Sequence, residues 1–270
     1  MTTTPAARIT SRQNPIVARY RAVAHGDVDG VLLLDGAHLV NDAVAAGLAI
    51  EHVAVDVNAS RRDEIAALME TLRAAGVEMT TVTAPVMAAL SPVRSSSAIV
   101  GIARRPSSAP ADLYAAPGDA APLVLIACDI QDPGNLGAIV RVAEAGAASG
   151  VMVVGASADP FGWKALRGSM GSALRLPVHR ASSPVAGAAD ARQHHCRIIA
   201  TVPRDGRSIF DVDLRSPVAV LIGGEGPGLP QAVIDDADER MTIPMQTPVE
   251  SLNAATTAAL VVYEARRQRS

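Results

Sequence analysis

Three junctions in the second half of the chain gather residues able to do chemistry. The first, DIQDPGNLGAIVR (129–141), follows an apolar run with the turn Asp132-Pro133-Gly134 and then brings Asn135, Gly137 and Arg141. Asn135 stands where a helix N-cap belongs, Gly137 permits close backbone approach in the first turn, and Arg141 follows less than two turns later. An amide and a guanidinium near a helix start can hold an anionic or hydroxyl-bearing ligand. The plainer reading is a capped helix with a surface arginine. The second junction, LIGGEGPGL (221–229), sets four glycines around Glu225, so its backbone takes conformations or approaches that side chains forbid. Its glycine spacing is not that of the dinucleotide fingerprint, and no Lys-Ser/Thr pair closes it as in a phosphate loop. A flat heterocycle held by backbone groups fits better than a nucleotide phosphate. The third, IPMQTPVESLNAATTAALVVYEARR (243–267), is a loop punctuated by Pro244 and Pro248, after which Ser251 and Asn253 open a terminal helix. Ser251 or Glu250 is the natural cap there. Polar residues crowding a helix mouth beside a glycine-rich loop point to a ligand site.

The elements that must position these junctions follow from hydrophobic periodicity. LVLIACD (123–129), VMVVG (151–155), RIIATV (197–202) and PVAVLIGG (217–224) read as strands covered on both faces. Helices are expected over about 135–148 and 251–267, the latter with Leu252, Ala255, Ala259, Val262 and Ala265 as its core stripe. Upstream, VLLLD (31–35), HVAVD (52–56), VEMTTV (77–82) and AIVGIA (98–103) alternate with helical patterns through Leu39 and Val40 and through Ile65, Leu68, Met69 and Leu72. This is the signature of a small α/β layer fold. His38, beside Asp35, has no partner set and reads as structural. Between the halves, residues 105–122 carry Pro106, Pro110, Pro117 and Pro122 with little apolar periodicity. The expected organisation is therefore an N-terminal α/β domain over 1–104, a stiff exposed linker over 105–122, and a second α/β domain over 123–270.

Composition limits the classes of function. The chain has 270 residues, 49% hydrophobic and 19% charged, enough for a sizeable core in each half. No apolar run reaches the roughly 18 residues of a membrane span, and the first thirty residues lack the apolar block of a secretory signal. Two cysteines far apart, Cys128 and Cys196, exclude a disulfide scaffold and fit a cytoplasmic chain. No cluster has metal-ligand spacing. A net charge of −3 with three Tyr, two Phe and one Trp argues against a histone-like coat or a base-stacking platform. The charge is unevenly spread, however. Arg8, Arg12, Arg19 and Arg21 precede any acid, and Lys164, Arg167, Arg175 and Arg180 face only Asp159 in 159–180. Such local basic patches suit a folded RNA recognised by shape.

Taken in order, N-x-G-x-x-x-R (Asn135, Gly137, Arg141), G-x-E-G-x-G (Gly223, Glu225, Gly226, Gly228) and I-P-M…E-S-L-N (Ile243, Pro244, Met245, Glu250 to Asn253) resemble the three motifs of the SpoU/TrmH RNA 2′-O-ribose methyltransferases of the SPOUT superfamily, over about residues 123–267. SRQNPIVARYRAVA (11–24) and VLLLDGAHLVNDAV (31–44) are similar, more weakly, to the ribosomal-protein-L30e-like substrate domain often attached to these enzymes. The resemblance implies a C-terminal α/β domain with a deep trefoil knot, a rare exception to unthreaded connections. It also implies S-adenosyl-L-methionine as methyl donor and a homodimer with the acceptor ribose near the subunit interface. By that likeness Gly223, Ile243 and Leu252 hold the donor through their backbone, with Thr201, Leu221, Gly226 and Met245 beside them. Asn135, Arg141, Glu225, Ser251 and Asn253 form the catalytic wall. A guanidinium stays protonated near neutrality, so Arg141 is expected to orient the acceptor and stabilise oxyanion character rather than act as a base. Arg8, Arg12, Arg19, Lys164 and Arg167 are the expected RNA contacts, with rRNA favoured over tRNA. Gly224, where the family often has Ser or Ala, is expected to be a harmless departure. The competing readings are an inactive RNA-binding ribosome-assembly protein of the same fold and a SPOUT enzyme that methylates a base.

Overall fold

The computed structural model describes residues 8–270 apart from 94, 96, 117, 119 and 227. They fall into two compact units, Met1–Pro106 with Phe161–Arg167, and Ser107–Pro160 with Gly168–Ser270.

The first unit runs β1 (Arg8–Ile9), α1 (Pro15–His25), β2 (Val31–Asp35), α2 (Ala37–Ala45), β3 (Ile50–Asp56), α3 (Asp63–Ala74), β4 (Met79–Val82), α4 (Ala84–Leu90) and β5 (Ile99–Arg104). Its sheet order is β1-β4-β3-β5-β2, with β5 antiparallel to both its neighbours. Helix α1 starts where Asn14 accepts the Ile16 N–H and Pro15 presets the backbone, and it ends at Gly26 in a left-handed cap. The arginines expected as an N-terminal arm therefore sit on or beside a packed helix, whose Val17, Tyr20 and Val23 are buried against Leu33, Val100 and Ile102. One polar line crosses this core. The Tyr20 hydroxyl is 2.8 Å from His52 Nδ1, and His52 Nε2 is 3.0 Å from the Thr80 hydroxyl. Burial lowers the His52 pKa below its ordinary value, so the folded core favours the neutral ring. Asp35 accepts from the hydroxyls of Ser91 and Ser97, and His38 pairs with Asp42 one turn along α2.

The second unit runs β6 (Leu123–Cys128), α5 (Pro133–Ala145), β7 (Gly150–Val154), β8 (Val178–Arg180), α7 (Pro184–Gln193), β9 (Arg197–Thr201), β10 (Arg207–Ser208), β11 (Val218–Gly223), α8 (Gln231–Asp236), β12 (Glu239–Thr242) and α9 (Ala254–Arg269). Helix α6 (Trp163–Ser169), between β7 and β8 in the chain, belongs up to Arg167 to the first unit, so the expected second domain over 123–270 is interrupted there. All seven strands are parallel, in the order β10-β12-β9-β11-β6-β7-β8. This explains the unbroken apolar runs: every residue of β6 and β7 is buried. From β6 the chain steps outward to β7 and β8, then crosses to β9 and β11 on the other side. In an open parallel sheet, ligands bind beyond the carboxyl ends of the strands near such a reversal.

Several expectations are corrected here. The stretch 105–122 is not simply an exposed linker. Pro110–Tyr114 form a 3-10 turn, Leu113 is fully buried in the core of the second unit, and the Tyr114 hydroxyl donates to Asp190 at 2.7 Å. One anchoring leucine among prolines leaves no periodic trace. On α9 the expected Val262 and Ala265 are buried, but Ala254, Ala258 and Val261 complete the core stripe in place of Ala255 and Ala259, and Leu252 lies before the helix begins. The short strands β1, β8, β10 and β12, and helices α4, α6, α7 and α8, are too brief or too Ala- and Gly-rich for periodicity to reveal.

Candidate active site

The expected caps are corrected first, because their true positions build the site. Helix α5 is capped by Asp132, whose carboxylate accepts the Asn135 N–H at 2.8 Å, so Asn135 lies inside the first turn with its side-chain amide available. Helix α9 is capped by neither Ser251 nor Glu250 but by Asn253, whose Oδ1 accepts from the N–H groups of Ala255 and Thr256 at 2.9 and 3.3 Å. The free amide Nδ2 of Asn253 donates to Asn135 Oδ1 at 3.0 Å, and Asn135 Nδ2 donates to the Glu225 carboxylate. Three residues from three distant segments thus join in one hydrogen-bonded row.

The row borders a cavity of about 490 Å³ at the carboxyl ends of β9, β11 and β12. Thr201, Gly223, Glu225, Gly226, Ile243, Met245, Ser251, Leu252 and Asn253 all line it. Its size is that of a small-molecule site, and its wall mixes apolar side chains with backbone groups of the glycine loop. Glu225 is the one acid lining it among the described residues. The glycines there are structural requirements. A Cβ on Gly223 would lie 2.9 Å from the backbone of Gly228 and Leu229, and Gly226 and Gly228 adopt φ of 100° and 71°.

The structure does not bring every expected residue to this wall: Asn135 is bonded to Glu225 and Asn253 but is not itself part of the cavity lining. The Leu221 side chain is buried in the core beneath the cavity, and Leu221 takes part only through its carbonyl, which accepts the Thr201 hydroxyl at 2.8 Å. Arg141 is exposed on α5 outside the cavity lining, and among the described residues it makes no hydrogen bond or ion pair. The partner of the Glu225 carboxylate is Asn135. Gly224 is not a neutral departure, because a Cβ there would come within 2.1 Å of the Asp129 carbonyl oxygen. Asp129 itself holds φ 55° at the end of the β6 strand, with its carboxylate accepting the Ala156 N–H at 2.7 Å. That backbone strain carries no sequence signal. Nor do Val202, Pro203, Ile222, Leu229 and Thr257, which also line the cavity and are recognisable only once the parallel register is known. The close approach expected at Gly137 is met by Gly168, whose Cβ would stand 3.4 Å from the Gly137 Cα.

The basic residues divide. Lys164 is exposed, with its ammonium 5.5 Å from the Trp163 ring centre, and Arg167 and Arg8 are exposed. Arg12 donates to the Pro85 carbonyl at 2.8 Å, Arg21 to that of Ala89 at 3.2 Å, and Arg19 pairs with Glu51. Arg175 and Arg180 are committed inside the second unit. Arg175 makes a two-pronged bond to Glu144 at 2.7 and 2.8 Å, and Arg180 donates to the carbonyls of Ser157 and Ala158. No group of three or more possible metal ligands occurs among the described residues, and no helix among them is long and apolar enough to cross a membrane.

Residues 122–263 match the SpoU rRNA Methylase family model. A Synechocystis protein described as an uncharacterized tRNA/rRNA methyltransferase is 32% identical over 270 residues, covering 99% of this chain and 96% of its own. A Mycobacterium ulcerans protein of the same description is 39% identical over 164 residues, of which the match spans 52% of that protein and 59% of this one. Among solved structures, an AdoMet-bound rRNA methyltransferase from Sinorhizobium meliloti superposes with a TM-score of 0.83 at 29% identity, over 97% of this chain and 98% of that one. An RNA 2′-O ribose methyltransferase superposes with a TM-score of 0.81 at 32% identity, over 97% and 99%.

Proposed function

Because the chain belongs to the SpoU rRNA methylase family, we propose that it transfers a methyl group from S-adenosyl-L-methionine to a ribose 2′-hydroxyl of structured RNA, with rRNA as the favoured substrate. One observation carries this reading: the glycine loop, the Ile243–Met245 segment and the mouth of α9 converge on a single cavity with Asn135 at its rim. The cavity fits the donor chemically. Backbone at Gly223, Ile243 and Leu252 would meet the adenine and ribose edges, Thr201 stands fixed by its bond to the Leu221 carbonyl, and Met245 adds a soft apolar surface. When bound, S-adenosyl-L-methionine supplies an already activated sulfonium methyl.

The protein's task is then to orient the acceptor in line and to assist loss of its proton. Arg141, exposed and without a hydrogen bond or ion pair among the described residues, clamps the acceptor ribose-phosphate and stabilises negative charge developing on the 2′-oxygen. Ser251 and Asn253 line the polar wall, Asn135 braces it through its bonds to Asn253 and Glu225, and Glu225 offers the carboxylate toward which the hydroxyl proton can be directed. Exposed Arg141 outside its own cavity also fits a homodimer with the acceptor near the interface. Of the expected contacts, Arg8, Lys164 and Arg167 are exposed and available to RNA phosphate, with Arg12 and Arg19 adding partly engaged charge. The first unit is assigned as an L30e-like substrate domain, the second as a knotted SPOUT domain.

Titration calorimetry with S-adenosyl-L-methionine tests the site. The wild-type protein is expected to bind with one site per chain, and Gly223→Ala to lose that binding, since the glycine loop cannot yield to the added Cβ. Absence of binding to the wild-type protein would overturn the proposal.

A further inference from the structure

The row Asn253–Asn135–Glu225 has a direction, and the structure shows what sets it. A side-chain amide looks the same either way round by shape, so its orientation follows from its partners. At Asn253 the partners leave no choice. The backbone N–H groups of Ala255 and Thr256 can only donate, so the atom facing them is Oδ1, the acceptor. Nδ2 must then point away from the helix, and it meets Asn135. Because that contact supplies a donor, Asn135 turns its own Oδ1 toward it and its Nδ2 toward the Glu225 carboxylate, which accepts. The second end of the row agrees with the first, since an ionised carboxylate can only accept.

We propose that Asn253 is a positioning residue: the N-cap of α9 fixes the polarity of the row, so that Asn135 always presents a donor to Glu225 and holds that carboxylate at the cavity wall as an acceptor. The inference rests on the methyl-transfer reading for its consequence but not for its geometry. Asn253 acts through Asn135. It joins the backbone of the terminal helix to the glycine loop, elements that share no local sequence, and it makes Asn135 a holder of Glu225 rather than an acceptor for the substrate hydroxyl. Beside the row stands Asp132, whose carboxylate is occupied by the Asn135 N–H. Arg141 lies less than two turns along α5.

Asn253→Asp separates capping from polarity, because Asp caps a helix as well as Asn does but has no amide to donate. With both neighbours of Asn135 then acceptors, one contact of the row faces oxygen to oxygen whichever way Asn135 turns. Glu225→Gln removes that conflict, since its amide can donate to a reversed Asn135. The experiment is a double-mutant cycle on intact protein, read by thermal unfolding and by methyl transfer to total rRNA. Asn253→Asp is expected to lower the unfolding midpoint by about 2–4 °C and Glu225→Gln to leave it nearly unchanged, while the double variant returns close to wild type. In methyl transfer, Asn253→Asp is expected to lose about a hundredfold, and the double variant to be no worse than Glu225→Gln alone. Asn253→Ser, which caps but is too short to reach Asn135, is expected to lose activity without coupling to Glu225→Gln in the unfolding midpoint. Additive midpoints, or an Asn253→Asp protein of full activity, would overturn the inference. If the wild-type protein transfers no methyl group, the functional reading fails, and the unfolding cycle still decides the polarity of the row.

Discussion

The two units use polar side chains in opposite ways. In the first, polar groups turn inward and satisfy one another: Tyr20, His52 and Thr80 form a line through the core, and Asp35 is held by Ser91 and Ser97. In the second, the sheet interior is apolar, and the polar groups stand at strand ends around a cavity, with Asn135, Glu225 and Asn253 bonded in a row at its edge. A buried, mutually satisfied network specifies a core. An exposed row beside a cavity, tied to helix caps, leaves groups available to a ligand. The comparison separates residues whose loss should cost folding from residues whose loss should cost chemistry.

The largest expected effect lies on the chemical side. Arg141→Ala should reduce methyl transfer by about 10²–10³-fold while leaving thermal unfolding unchanged, because the side chain is exposed and makes no hydrogen bond or ion pair among the described residues. Full-rate methylation by this variant would remove Arg141 from the mechanism. Next comes Leu113→Ala, expected to destabilise the second unit by about 2–5 kcal/mol, as for a fully buried leucine. Denaturant unfolding that showed no change would restore the segment to an exposed linker.

Tyr20→Phe strips the hydroxyl that meets His52 and should cost about 1–3 kcal/mol in the first unit, with no loss of S-adenosyl-L-methionine affinity. The same line gives a pH dependence. The folded pKa of His52 is depressed by burial, so its contribution is present above the unfolded value of about 6.5 and is lost as pH falls below it toward the folded value. The midpoint of the first unit should therefore drop on acidification, and His52→Gln should flatten that drop. The smallest effect belongs to Arg19→Ala: its half-exposed pair with Glu51 is worth at most about 1 kcal/mol. A clear loss of RNA affinity in filter binding would show that Arg19 contacts phosphate despite that partner.

The legibility of the sequence followed the same division. Strand β2 was read at its true bounds, and β6, β7, β9 and β11 nearly so, because residues buried on both faces leave continuous apolar runs. The three chemical junctions were readable because glycine, proline and cap residues mark strand ends. The pairing between them was not. That Asp132 rather than Asn135 caps α5, and Asn253 rather than Ser251 caps α9, depends on where each helix begins, which a one-residue shift alters. The partners of Glu225 and the crowding of Gly224 against Asp129 arise from strands adjacent in space but about 90 residues apart in the chain, beyond any local pattern.

The central claim is that this cavity serves ribose methylation, and its most direct test is nucleoside mass spectrometry of RNA. Unmodified rRNA and tRNA would each be incubated with the protein and methyl-labelled S-adenosyl-L-methionine, then digested to nucleosides. The account predicts label in a 2′-O-methylated nucleoside, in rRNA, with none from the Arg141→Ala protein. Label in a base, or binding of the donor without transfer to either RNA, would contradict it.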